Sequence, residues 1–327
     1  MKCIICNKNI ASACLKVCKN CLVEGKADEY ILAVHKKVPQ NGIPCNICGN
    51  SCKIGENEKG FCRLRENENG RLISYSNANV AIGEYYFDAL PTNCVASWVC
   101  GMDKGYNLAV FYGACSFDCL FCQNAIYHEM AKRKLPLMYA DELIEASKKA
   151  KCICFFGGDP TCQIQHAINV AKNVDCIVCW ETNGNFSKQF LPKVAEVTNG
   201  IVKFDLKAWN EKLHIALCGV SNKNTLQNFE YLAKYCKMAA STLLVPYYVD
   251  ADEVYQIASF IASIDENIPY SLLAFYPCHK MNDLPNTSKK TSFRMLCISQ
   301  KSWIEKCKNW KCSFAYLALY PFPYIFH

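Results

Sequence analysis

Three cysteines spaced Cys115-x3-Cys119-x2-Cys122 fall in one compact stretch, GACSFDCLFCQN, of a 327-residue chain. Thiolates on one tight loop can each take a different iron of a [4Fe–4S] cube, leaving the fourth iron open to another ligand. A zinc site would want a fourth protein ligand and usually two Cys-x2-Cys pairs, so the spacing favours a cluster. Such a pair of pairs stands at the start of the chain, where Cys3-x2-Cys6 and Cys18-x2-Cys21 are eleven residues apart. That spacing reads as a small structural zinc knuckle, with Cys14 as a competing ligand. A knuckle can also grip nucleic acid or a partner, but an isolated copy reads as a folding staple. A third set, Cys45-x2-Cys48-x3-Cys52 and then Cys62, fits one zinc or a second iron–sulfur cluster, because four thiolates serve both.

These sets draw on 25 cysteines, far above the usual share. No apolar run approaches the roughly eighteen residues that span a bilayer, and Lys2, Lys8 and Lys16 interrupt the stretch where a signal peptide would be unbroken. The expectation is a cytoplasmic chain in a reducing compartment, where cysteines are read as metal ligands before disulfides. Cys94 and Cys100 have no partner pair and stay unassigned. Cys152, Cys154, Cys162, Cys176, Cys179, Cys218 and Cys236 sit in or beside predicted elements and read as small buried hydrophobes. The net charge of +7 is spread in pairs such as Lys36-Lys37 and Lys289-Lys290, which describes a solvated surface and gives nucleic-acid binding no support.

The elements that must position this chemistry begin near residue 106. NLAVFYGAC, CICFFGG, DCIVCWETNG, GIVKFDLKAW, MAASTLLVPYYV and IPYSLLAFYP each read as a buried parallel strand. Amphipathic segments lie between them, for example 140–150, with Leu143, Ile144 and Ser147 on one face, and 224–236, with Leu226, Phe229 and Leu232. The repeating βα unit predicts an α/β fold, a partial (β/α)6 TIM-like barrel with its ligands at the C-terminal strand ends. The organisation expected is a knuckle at 1–30, a cysteine-rich region at 31–104, a core barrel at 105–285 and an extension at 286–327. The last residues, LALYPFPYIFH, are apolar and suit packing on the barrel, meeting a partner or an atypical terminus.

The cysteine loop, with aromatic Phe121 before its last cysteine, resembles the signature of the radical S-adenosylmethionine (SAM) superfamily. There the open iron is chelated by the amino and carboxylate groups of SAM, and one-electron reduction releases a 5′-deoxyadenosyl radical that abstracts hydrogen. Gly157-Gly158-Asp159-Pro160 resembles the family's GGEP loop, with Asp in place of the usual Glu. Trp180-Glu181-Thr182-Asn183-Gly184 and Lys203-Phe204-Asp205-Leu206-Lys207 are similar to the TNG and DLK stretches of glycyl-radical-enzyme activases, the pyruvate formate-lyase activating group. Met281, Leu284, Pro285 and the upstream GFCRLRENENG resemble the AmmeMemoRadiSam system branch.

By this resemblance, Gly157, Gly158 and Asp159 would bind the SAM amino group. Glu181, Thr182 and Asp205 would lie near its methionine end or around a cation, Lys207 near its carboxylate, and His279 against its adenosine. The resemblance also implies an electron donor such as ferredoxin or flavodoxin. The substrate it implies is a glycine of a partner protein. Another radical SAM reaction on a small molecule, peptide or RNA is the alternative, and a zinc and iron–sulfur binding module without turnover is the reading from another class.

Overall fold

The computed structural model describes residues 1–92, 94–306 and 315–318, with 302–306 and 315–318 described by backbone alone. All six strands expected from the apolar runs form, at β2 Tyr106–Tyr112, β4 Cys152–Gly157, β5 Ile177–Thr182, β6 Ile201–Asp205, β7 Lys237–Leu244 and β8 Tyr270–Ala274. The same sheet also holds β1 Val80–Ala89, β3 Leu137–Tyr139 and β9 Ala315–Ala318, in the order β9-β8-β7-β6-β5-β4-β2-β1-β3. Neighbours from β2 to β9 run parallel, whereas β1 pairs antiparallel with both β2 and β3. The sheet is therefore mixed, a partial barrel extended on both sides of the six-stranded unit.

Burial on both faces explains the near-continuous apolar composition of the parallel strands. Alternation divides each strand between two environments. Outward side chains pack under the helices: Phe204 meets Phe229 of the helix Lys223–Leu232 edge to face at 5.2 Å. Inward side chains face one another across the strands, because the register sets Cys154 beside Cys179 and Lys203 beside Glu181. In the expected helix at 140–150, which forms over Ala140–Ser147, Leu143 and Ser147 are buried. No helix among the described residues is long and apolar enough to cross a membrane.

The N-terminal cysteine segment docks on the barrel through Tyr248, Asp283, which accepts the Ala13 N–H at 2.8 Å, and Asp250, which pairs with Lys19. The buried Tyr248 hydroxyl accepts the Ser12 N–H at 2.9 Å and donates to the Val17 carbonyl at 3.0 Å. Two small antiparallel pairs, Ile43–Pro44 with Lys53–Ile54 and Arg65–Glu68 with Arg71–Ser74, shape the cysteine-rich stretch that follows. Apart from the Ala315–Ala318 backbone, the apolar C-terminal residues lie outside the described residues.

Candidate functional site

A cavity of about 150 Å³ opens at the C-terminal ends of the strands. The loop after β2 lines it with Cys115, Cys119 and Cys122, and the loop after β4 with Gly157, Gly158 and Asp159. The end of β5 adds Glu181, Thr182 and Asn183, the end of β6 adds Asp205 and Lys207, and Ser241 and Leu243 of β7 complete it with Leu273 of β8. This is the face where a barrel of this kind presents its chemistry.

The cysteine loop is fastened at several points. Asp118 and Leu120 donate their N–H groups to the carbonyls of Cys218 and Leu217, both at 2.9 Å. The Phe117 carbonyl accepts the Tyr127 hydroxyl at 3.1 Å. The Asn183 side-chain amide donates to the Cys115 sulfur at 3.5 Å. Burial pushes the Cys115 thiol well up and the Cys122 thiol up to about 12, so binding a metal here must expel thiol protons.

The two glycines are dictated by close approach. Gly157 has φ of +103°, and a Cβ on Gly158 would sit 2.4 Å from the Ala114 carbonyl oxygen, closer than non-bonded atoms allow. The N–H groups of Gly158 and Asp159 are occupied by the carbonyls of Tyr112 and Ala114, at 2.8 and 2.7 Å. Asn124 donates to the Gly157 carbonyl at 2.9 Å.

Charge is unevenly distributed around the cavity. Burial opposes the charge of Lys207, but Asp205 beside it, and Cys119 further off, hold the ammonium charged above its ordinary range. Asp205 Oδ1 is buried with no hydrogen-bond partner. Burial raises the Glu181 carboxyl, opposed by Lys203. Burial also raises Asp159, opposed by donors from Thr161, Asn183 and Thr182.

Of the residues anticipated from sequence, the cavity gathers all three loop cysteines and Gly157, Gly158, Asp159, Glu181, Thr182, Asp205 and Lys207. It does not gather His279, whose ring stacks on His128 with centroids 5.4 Å apart. Sequence reasoning missed Asn183, Asn124, Ser241 and Lys203. Lys203 lies below the cavity, with its ammonium 3.1 Å from the Cys94 sulfur and 3.2 Å from that of Cys154. A lysine two residues before Asp205 in a strand shares its face, and that was the available signal.

The N-terminal set converges tightly. Cys3, Cys6, Cys18 and Cys21 place all four sulfurs within 4.8 Å of one another, with Cys3–Cys21 at 3.9 Å and Cys6–Cys18 at 3.7 Å. They form a cluster able to chelate a metal. The competing Cys14 is turned away toward the Ser12 hydroxyl at 3.4 Å.

The model of the radical SAM superfamily matches residues 109–261. An uncharacterised protein of Methanocaldococcus jannaschii is 28% identical over 283 residues, covering 79% of this chain and 78% of its own. A second protein of that organism, provisionally named a glycyl-radical enzyme activating enzyme, is 29% identical over 212 residues, covering 62% of this chain and 78% of its own. Pyruvate formate-lyase 1-activating enzyme of Escherichia coli K12 is 26% identical over 190 residues, covering 54% of this chain and 76% of its own. The matched segment runs from β2, which leads into the cysteine loop, to the helix Ala251–Ile264 beyond β7. Likeness and cavity thus coincide: residues 109–261 form a radical SAM domain, and the chain is an enzyme resembling the pyruvate formate-lyase-activating branch of that superfamily.

Proposed function

We propose that Cys115, Cys119 and Cys122 hold a [4Fe–4S] cluster whose open iron takes SAM, and that the enzyme uses them to abstract hydrogen from a partner protein's glycine. The observation that carries this reading is that one cavity is lined by three thiols of a single loop, the Gly157-Gly158 turn and the Asp205–Lys207 pair. When bound, cluster and SAM supply reductive cleavage to a 5′-deoxyadenosyl radical, chemistry that belongs to the cofactors.

The protein's share is binding and orientation. With the Gly158 and Asp159 N–H groups turned to the β2 loop, the carbonyls of that turn are its remaining polar groups, suited to an ammonium. Lys207 presents a cation to a carboxylate. The unpartnered Asp205 Oδ1 suits a donor or cation from the bound molecule. Leu243, Leu273, Phe121 and Phe156 limit water around the reacting atoms. At the N-terminal set, zinc is the metal we assign, because four thiolates about 2.3 Å from one zinc lie about 3.8 Å apart, and Cys3–Cys21 and Cys6–Cys18 match that spacing at 3.9 and 3.7 Å.

The glycine substrate is supported by the likeness to activating enzymes over 54% and 62% of the chain. An electron donor of the ferredoxin or flavodoxin kind suits the same reading. The test is anaerobic reconstitution, reduction with dithionite in the presence of SAM, and measurement of 5′-deoxyadenosine. Product from the native chain and none from Cys115→Ala, Cys119→Ala or Cys122→Ala is expected. No product from a fully assembled cluster would overturn the catalytic reading. A glycine-centred radical signal on an added protein partner separates the activase from an enzyme acting on a small molecule, peptide or RNA.

A further inference from the structure

Cys94 has no partner pair in the sequence, and Cys154 reads there as a small buried hydrophobe. The fold brings both to Lys203, whose ammonium lies 3.1 Å from the Cys94 sulfur and 3.2 Å from that of Cys154. The lysine is 4% exposed, and among the described residues the hydrogen bonds of its ammonium go to these two sulfurs. Sulfur is a weak acceptor beside a carboxylate oxygen. A buried amine placed there is poorly served as a charge and well placed as a reactant, since a nitrogen touching a sulfur is the first group that an oxidised sulfur meets.

The three side chains line a cavity of about 50 Å³ with Cys152, Cys179 and Glu181. Glu181 stands beside Lys203 in register, and Cys179 beside Cys154. A wall rich in sulfur and hydrocarbon suits a small apolar gas, and the space exceeds the roughly 30 Å³ that one water takes in the liquid. Dioxygen has the size and polarity this space admits. Phe156 and Glu181 belong both to this cavity and to the larger one above it, so the two share a wall.

We propose that Cys94 and Lys203 form a modification site, at which dioxygen joins them through an N–O–S bridge. One S–H bond of the thiol and two N–H bonds of the ammonium break, and S–O and O–N bonds form. Sulfur and nitrogen each give up two electrons, and dioxygen takes all four. One of its oxygen atoms stays in the bridge and the other leaves as water, with the remaining proton released. Cys94 is the partner because it lies in the connection between β1 and β2 and can approach, whereas Cys154 is held inside β4 by pairing with β2 and β5. A contact of 3.1 Å closes over one inserted oxygen with little movement, while a direct S–N bond would draw the two chains much closer.

The bridge tightens a segment that already spans the barrel. The Trp98 indole N–H donates to the Ser271 hydroxyl at 3.1 Å, and that hydroxyl donates to the Val95 carbonyl at 3.0 Å. Residues 94–98 therefore reach from Lys203 on β6 to Ser271 on β8, and Val95 lines the cavity proposed for SAM. Oxidation at Cys94 fixes that wall covalently. It also holds the sulfur at a level that thiols reverse, short of the sulfinic acid that they do not.

The experiment compares the full chain kept anaerobic with the same preparation exposed to air. Free thiols are alkylated under denaturing conditions, and tryptic peptides are read by mass spectrometry. The aerated sample should contain the Cys94 and Lys203 peptides joined, heavier than their sum by one oxygen less two hydrogens, with no cleavage after Lys203. The anaerobic sample should lack this species, and dithiothreitol should return both free peptides. In Lys203→Met, aeration should carry Cys94 on to sulfinic and sulfonic acid. A Cys94–Cys154 disulfide, a bridge to Cys154 in place of Cys94, or an aerated Cys94 without Lys203 attached would each overturn the proposal. If Lys203→Met fails to fold, the native peptide map decides alone. These readouts use neither the cluster nor SAM, so they stand apart from the test of SAM cleavage.

Discussion

The carboxylate of Asp159 accepts the backbone N–H of Asn183 at 2.6 Å, joining the loop after β4 to the end of β5. It also accepts the Thr182 hydroxyl at 3.0 Å and the Thr161 N–H at 2.8 Å. Asn183 in turn reaches the Cys115 sulfur and donates to the Ser116 hydroxyl at 3.0 Å. The aspartate at the position where the family's loop carries Glu therefore acts inward, through its neighbours, and fixes the glycine turn relative to the cysteine loop.

Asp159→Ala leaves the Asn183 and Thr161 N–H groups and the Thr182 hydroxyl without their acceptor. Unmet buried donors cost about 1–3 kcal/mol each, so a loss of at least about 3 kcal/mol is expected from the three on that principle, with SAM binding weakened by about tenfold or more. Asp159→Asn keeps an acceptor oxygen and should recover part of both. Urea denaturation and equilibrium dialysis with SAM measure the two effects, and unchanged SAM binding in Asp159→Ala would contradict the positioning role.

Stability should fall on mild acidification because of two buried histidines. His166 pairs with the Tyr112 hydroxyl at 2.9 Å and His214 with the Val220 carbonyl at 2.7 Å. Burial lowers each from 6.5 to about 4. Between those values the unfolded chain binds protons that the folded chain refuses, so stability present near neutrality is lost as pH drops through this window. The slope approaches about 1.4 kcal/mol per pH unit for each histidine. Denaturation midpoints of the protein at pH 7, 6 and 5 check this, and His166→Gln should flatten the dependence.

Tyr248→Phe removes the hydroxyl that serves Ser12 and Val17. The expected loss is about 1–3 kcal/mol, together with faster removal of zinc by a chromogenic chelator. A normal zinc-release rate in this variant would mean that the knuckle does not depend on its docking.

Gly158→Ala drives a methyl group into the Ala114 carbonyl, which precedes Cys115. Backbone cannot yield as a flexible side chain can, so the cysteine loop must move. A fall of at least about tenfold in 5′-deoxyadenosine formation is expected, since small misplacements of reacting groups carry losses on the order of 100-fold. Iron content and product yield from the same preparation show whether the cluster or its use is lost.

The parallel strands were readable because each is a short, continuous apolar run closed by polar residues, and the loop cysteines because their ligand spacing is local. β1 was hidden by its setting, since VAIGEYYFDA follows a stretch of Gly, Asn and charged residues that reads as turns. β3 is only three residues long, too short for periodicity to register. The turn after β4 meets the cysteine-rich segment through Arg65, whose guanidinium donates to the Cys162 carbonyl, a contact across 97 positions that no spacing rule anticipates. His279, expected against the adenosine, stacks its ring on His128 and does not line the cavity.

The bond between Ser12 and Tyr248 spans 236 positions. A ribosome releases the first of these residues long before the second, and folding proceeds from the N-terminus as the chain emerges. The four cysteines of the knuckle therefore emerge early, whereas the Tyr248 part of their anchorage must wait until β7 has been synthesised and placed. A truncated chain ending before residue 248 would keep all four cysteines and lack that part of the docking.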